Sequence, residues 1–382
     1  MQNISHLFEG VEDPRISNAT RHDLNDMLII GLMTIICGGE GCTDMAVFGR
    51  EKEDFLRQFL KLDYGIPSHD AFSDLFKSLD PKGLQTALLR LVGGWQDYFG
   101  DDVIAIDGKA LRRSFAEASK RSPLHLVQAF ATKAGVVLGQ VRVADKSNEI
   151  TALPALLELL SIAGRTVTLD AMHTQRSTAE TILAQKGDYV LALKGNQGTL
   201  NEDIRLYMED PPAGAEITVS DDVVEKGHGR IETRRARVAT DIEWVQERHD
   251  WPGLAAFGAV EAERYIKGKT TSETRYFLLS ETLSPEQLLT KVRSHWGIEN
   301  SLHWVLDVTM NEDQQRTRVG HGAENMALMR RMAINMVRVV PEKKKSSMRS
   351  KLKRAGWNNN YLLEIIIGAK VQLNEDEKVQ KR

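Results

Sequence analysis

Apolar positions recur every three or four residues over the first hundred. Leu24, Met27, Leu28, Gly31, Leu32 and Ile35 share one helical face. The apolar stretch from Met27 to Gly39 is too short to span a bilayer, so it predicts a buried helix. Ser68 suits a cap for a helix reaching Leu79, with Ala71, Phe72, Leu75, Phe76 and Leu79 as its stripe. Leu84 to Val92 predicts another helix, and Asp13-Pro14-Arg15 and Gly65-Ile66-Pro67 read as turns. Residues 1–98 are expected to form an N-terminal helical domain, for DNA binding or for docking.

From Val103 the pattern changes to short apolar runs. Val103 to Ile106 predicts a buried strand ending at Asp107-Gly108. Leu124 to Thr132 and Val136 to Val143 predict two more strands, joined by the hairpin-length Lys133-Ala134-Gly135. Thr151 to Ile162 predicts a helix, Thr166 to Leu169 a strand ending at Asp170, Ser177 to Ala184 a helix, and Tyr189 to Leu193 a strand ending at Lys194. Three antiparallel strands followed by two reached through helices is the RNase H-like order, so the expected class is α/β with a mixed-sheet core. In that order the first and fourth strands lie side by side and bring Asp107 near Asp170.

Residues 205–283 interrupt the alternation with strand-like runs at Ile217 to Val224, Ile231 to Val238, Phe257 to Tyr265 and Arg275 to Leu279, and predict a β-rich insertion. Ser284-Pro285-Glu286-Gln287 then starts a helix expected to run through Trp304, with a capping box between Ser284 and Gln287. The expected organisation is a core in two parts, 99–204 and 284–340, split by the insertion and followed by a basic tail, 341–382.

Composition adds limits. The net charge is only -3, so any nucleic-acid partner must be sought in local charge. Cys37 and Cys42 have no further Cys or His at zinc-site spacing and read as thiols in a reducing cytoplasm. Glu9, Glu12 and Asp13, with no apolar run beside them, do not suit a secretory leader.

The candidate chemistry lies in three acids. His295, Glu299 and His303 recur at every fourth position of the predicted helix, among Trp296, Ile298, Leu302 and Trp304. A carboxylate there needs a partner or a metal. Two Asp at strand ends and a helical Glu form a hard-oxygen set suited to Mg2+, with Mn2+ as a substitute. Two such ions can activate a nucleophile and stabilise a leaving oxygen. Helical zinc sites carry His at i and i+4, whereas His295 and His303 are eight apart, which disfavours zinc. These two imidazoles are expected to bond Glu299, DNA phosphate or the core.

Basic residues cluster at Lys226, Arg230, Arg234, Arg235 and Arg237, opposed locally only by Glu232, and again as seven Lys or Arg from Lys343 to Arg354. Such patches can hold phosphates. Lys109, Arg112 and Arg113 follow Asp107, and Lys194, Asn196 and Gln197 follow a strand end on the same sheet edge. They are candidate DNA contacts, or in the latter case a polar loop.

These residues resemble the DDE transposases of bacterial insertion sequences, in the H-repeat-associated, Rhs-linked subgroup. The matching stretches are Ala105 to Lys109, Leu169 to Gln175, Leu193 to Gln197, His295 to Asn300, Leu302 to Val308 and Asn311 to Asp313, together with Asp13 to Arg15 and Gly65 to Asp70. The resemblance spans nearly the whole chain. It implies an RNase H-like core with the triad Asp107, Asp170 and Glu299, which would bind two metal ions, act on double-stranded DNA at element ends and targets, and work as a homodimer or higher oligomer. The wider group often carries Tyr, Arg, Glu and Lys around the last acid. Here those places hold Val292, His295, Glu299 and Leu306. Arg293 and His295 are then the candidates to grip phosphate. Two alternatives use the same residues: a nuclease that only hydrolyses, and a DNA-binding relic without activity.

Overall fold

The computed structural model describes residues 6–16, 20–95, 99–100, 102–114, 123–143, 149–227, 229–342 and 344–368. Lys343 of the C-terminal basic run and residues 369–382 of the expected tail lie outside the described residues.

Among the described residues, helices come first: α1 (Leu24–Ile36), α2 (Cys42–Glu51), α3 (Glu53–Leu56), α4 (His69–Ser78) and α5 (Pro81–Gly93). Asp23 caps α1, whose residues are buried from Asp26 to Ile36, so it is a core helix rather than a surface one. Ser68 caps α4 by accepting from the Ala71 N–H at 3.2 Å. Cys37 and Cys42 are free, and burial pushes their thiols up to about 12 and about 11.

The strands are β1 (Ile104–Leu111), β2 (Leu124–Ala131), β3 (Val136–Arg142), β4 (Thr166–Leu169), β5 (Asp188–Leu193), β6 (Ile217–Val219), β7 (Val223–Gly227), β8 (Arg230–Ala239), β9 (Ala256–Ile266) and β10 (Lys269–Leu279). They form one sheet in the order β3-β2-β1-β4-β5-β10-β9-β8-β6, with β7 on β8. β1, β2 and β3 are antiparallel, and β4 and β5 run parallel to β1, which gives the expected RNase H-like half. The strands of residues 205–283 continue this same sheet, because β10 pairs antiparallel with β5.

One expectation needs correction. Asp107 does not end its strand: β1 continues to Leu111, with Asp107 opposite Gln128. The physical reason is that β2 keeps pairing as far as Leu124, whereas β4 pairs only with Ile104 to Ile106.

Further helices among the described residues are α6 (Glu149–Glu158), α7 (Arg176–Ala184), α8 (Gly198–Glu209), α9 (Glu243–His249), α10 (Pro285–Gly297), α11 (Gly322–Val339) and α12 (Met348–Trp357). α11 packs on α1, α4, α5 and β3, so one continuous apolar cluster joins the N-terminal helices to the sheet. The C-terminal stretch is helical over Met348–Trp357 and residues 359–368. α12 buries Leu352 and Ala355, and the helical residues 359–368 bury Tyr361, Leu362, Ile365 and Ile366. No helix among the described residues is long and apolar enough to cross a membrane.

Candidate active site

Parallel pairing of β1 with β4 sets Ile106 opposite Leu169, so Asp107 and Asp170 come next in register. β4 ends there. Asp170 becomes the cap of a single 3-10 turn, Ala171–His173, its Oδ1 accepting from the N–H groups of Met172 at 3.1 Å and His173 at 3.4 Å. The loop beyond is fastened from the end of β5. The side-chain amide of Asn196 donates to the Ala171 carbonyl at 2.7 Å, and that of Gln197 to the Thr174 carbonyl at 2.6 Å. Thr174 Oγ1 in turn donates to the Ala192 carbonyl at 2.6 Å. Asn196 and Gln197 therefore use these donors on the Asp170 loop, not on an external ligand.

α10 begins as its sequence predicts. Ser284 Oγ accepts from the Gln287 N–H at 3.3 Å, and Gln287 Oε1 from the Ser284 N–H at 2.8 Å. The helix rests on the sheet where β9 carries Gly258. A Cβ there would stand 2.5 Å from a Leu288 methyl and 2.9 Å from the Arg237 carbonyl oxygen, so only glycine allows this approach. After Gly297 the backbone widens into π-helical turns, Ile298–His303 and Val305–Thr309, where the α-helical spacing predicted continuation. The Trp304 N–H bonds the Glu299 carbonyl, and the Met310 N–H bonds the Val305 carbonyl at 3.1 Å. Such widened turns concentrate at functional sites.

Glu299 and His303 lie on the first widened turn. One ligand atom from each of Asp107, Glu299 and His303 lies within 4.8 Å of the others, a donor set able to hold a cation. Asp170 is outside that tight group but adjacent to Asp107 in the sheet. Glu299 is exposed, Asp107 and Asp170 are half-buried, and His303 is buried. Burial pushes the His303 imidazole down to about 3, with Lys109 and Arg331 adding to the effect, so it is neutral at ordinary pH. His295 faces the other acid. Its Nδ1 lies 3.0 Å from Thr168 Oγ1 on β4, and burial lowers its pKa although the Asp170 charge opposes this. It thus bonds a buried strand hydroxyl, which is the core among its expected partners Glu299, phosphate and core.

Lys109 does not reach outward. It is buried, and its Nζ bonds both Asp307 oxygens, at 2.6 and 2.7 Å. Arg112 is exposed beside Asp313, with Nε 3.4 Å from Oδ2, and Arg113 is exposed and gives its carbonyl to Arg318. Lys194 is exposed.

The basic cluster on β8 is opposed by more than Glu232. Glu225 on β7 bonds both Arg234 and Arg293, Arg235 pairs with Asp222 at 2.8 Å, and Arg237 with Glu261 at 2.7 Å. Arg234 also meets Glu232 at 2.8 Å, and Arg230 lies 3.6 Å from Glu232. Glu225 and Glu261 sit on the neighbouring strands β7 and β9, and Asp222 just before β7, so their opposition depends on sheet register.

A family model described as "Transposase DDE domain" matches residues 98–336, well over half of the chain. The chain belongs to the DDE transposase family. A second model, "DDE_Tnp_1-associated", matches residues 5–92 of this DNA transposase. Among curated relatives it is 35% identical to "H repeat-associated putative transposase YhhI" of Escherichia coli K12, over 94% of this chain and 96% of the relative. It is 41% identical to "Uncharacterized protein in dhlA 3'region" of Xanthobacter autotrophicus, over 75% of this chain and 97% of the relative. Among solved structures, a piggyBac transposase synaptic complex with hairpin DNA has a TM-score of 0.44 at 12% identity, covering 98% of this chain and 80% of that chain. In this transposase Val292 and Leu306, where the wider group carries Tyr and Lys, are buried apolar residues, so neither side chain is available to DNA.

Proposed function

We propose that this transposase hydrolyses a phosphodiester bond at each end of a mobile element and then joins the freed 3′ end to target DNA. Asp107, Asp170 and Glu299 act as one unit. The observation that carries this reading is the register of β1 and β4, which makes the two Asp neighbours at the sheet edge to which the widened helix returns Glu299.

The donor set suits Mg2+, with Mn2+ as a substitute, and the three acids would hold two such ions. When bound, an ion pair of this kind activates a hydroxyl nucleophile and stabilises the leaving oxygen. The chain supplies placement. The backbone N–H groups of Met172 and His173 fix Asp170, the Asn196 and Gln197 amides fix its loop, and β2 fixes Asp107. In the first step a water oxygen forms a bond to phosphorus, the P–O3′ bond breaks, and the 3′-oxygen leaves as a hydroxyl. In the second step that 3′-hydroxyl bonds to a target phosphorus and displaces the target's own 3′-oxygen, so the number of phosphodiester bonds is conserved.

Exposed Arg112, Arg113 and Lys194 are the positions from which this chain would hold the DNA backbone of element ends and target, with Arg230, Arg234 and Arg293 reaching it on exchange of their acidic partners. Lys109, Asn196, Gln197 and His295 support the site from within. The working form is a homodimer or higher oligomer, so that two element ends are handled together. The test is a duplex of the flanking repeat with labelled 3′ ends, incubated with Mg2+ or Mn2+ and a target plasmid. Labelled strands joined to the plasmid are expected. Fragments alone would identify a nuclease, and uncut DNA a relic.

A further inference from the structure

The imidazole of His303 differs from the other groups around Asp107. It is buried on the widened helix that carries Glu299, with Nδ1 3.8 Å from Asp107 Oδ2. That separation is too long for a hydrogen bond. Nε2 is enclosed and has no hydrogen-bond partner among the described residues. Two cations of this region are paired with other acids, Lys109 with Asp307 and Arg331 with Glu312. An imidazole and two carboxylates thus bring one ligand atom each to within 4.8 Å of one another.

We propose that His303 is a metal ligand, completing with Asp107 and Glu299 a mixed oxygen and nitrogen site at one of the two cation positions. The inference rests on the reading of these acids as metal ligands. Donors on opposite sides of an ion with bonds of about 2.1 Å are about 4.2 Å apart, and adjacent donors about 3 Å apart. The Nδ1 to Oδ2 separation of 3.8 Å falls between these values. The full group lies within 4.8 Å, so it closes on an ion with side-chain shifts of roughly 0.5–2 Å. Carboxylates alone serve Mg2+ well, whereas an imidazole favours first-row transition ions. The site therefore binds Mn2+ more tightly than Mg2+.

The test is electron-spin-echo envelope modulation on the full-length protein loaded with Mn2+. The expected result is nitrogen modulation that changes to the 15N pattern in protein grown on 15N-histidine. It persists in His295→Asn and disappears in His303→Gln, whose Mn2+ affinity falls about tenfold or more. The isotope label reports histidine coordination in the unaltered protein, so the test holds even if His303→Gln folds poorly. Bound Mn2+ that is lost in Asp107→Ala but shows no histidine modulation overturns the His303 assignment and leaves the acids as ligands. So does modulation that survives in folded His303→Gln. Absence of any Asp107-dependent Mn2+ binding overturns the underlying reading, and this inference with it.

Discussion

The side-chain amide of Asn196 donates to the carbonyl of Ala171 at 2.7 Å, one residue beyond Asp170. With the bond from Gln197 to Thr174, it ties the turn that holds an acid of the site to the end of β5. Replacing Asn196 by Ala frees the turn without removing a ligand. Strand transfer is expected to fall by about 10²-fold, the scale on which small misplacements act, while affinity for element-end DNA stays unchanged. Parallel rate and binding measurements check this. Equal loss of both would assign Asn196 to DNA contact.

Gly258 sets how closely α10 lies on the sheet. Gly258→Val forces a side chain against Leu288 and the fixed Arg237 carbonyl. Overpacking of this kind costs about 1–3 kcal/mol, and here it also displaces the helix that leads to Glu299. Denaturant unfolding should show the loss of stability, and cleavage should fall further than the folded fraction does.

Arg331 and Glu312 form a fully buried pair between α11 and the loop before it, with Gln128 of β2 accepting from Arg331 Nε at 3.2 Å. Burial alone would raise the Glu312 pKa, but the Arg331 charge and hydrogen bonds outweigh it and hold the carboxyl below its ordinary value. A depressed carboxylate contributes stability that is present above its unfolded value and is lost as pH falls through the folded one. Glu312→Ala should destabilise the protein by about 3–5 kcal/mol near neutral pH by leaving Arg331 unpaired. It should also flatten the acid limb of the stability curve below about pH 4.5. Unfolding curves from pH 3 to 7 measure both effects.

Glu225 is shared by Arg234 and Arg293. If these arginines meet DNA by exchanging partners, Glu225→Gln should raise affinity for element ends and steepen its salt dependence, by up to about one unit of slope for each arginine released. Salt titrations of binding decide this. An unchanged slope would remove Arg234 and Arg293 from the interface.

The core was legible because its strands are apolar runs closed by polar residues, and Thr166 to Leu169 fell where β4 lies. The adjacency of Asp107 and Asp170 was legible because strand order alone makes β1 and β4 neighbours. What escaped depends on space, not sequence. α9 is short and buries only Val245, too little for a helical stripe to show. Glu225 on β7, Glu261 on β9 and Asp222 before β7 oppose the β8 arginines from outside their segment, where a local count of charge does not reach. Lys109, a candidate phosphate contact by position, is held by Asp307, which is distant in sequence. The approach of His303 to Asp107 follows a π-helical turn that no apolar spacing announces.

The central claim is that Asp107, Asp170 and Glu299 form one catalytic unit, and Asp170 tests it most directly because it lies outside the tight group formed with His303. Asp170→Ala should bind element-end DNA as the unaltered protein does, yet yield no joined product with Mg2+ or Mn2+. Strand transfer retained by Asp170→Ala would contradict the account.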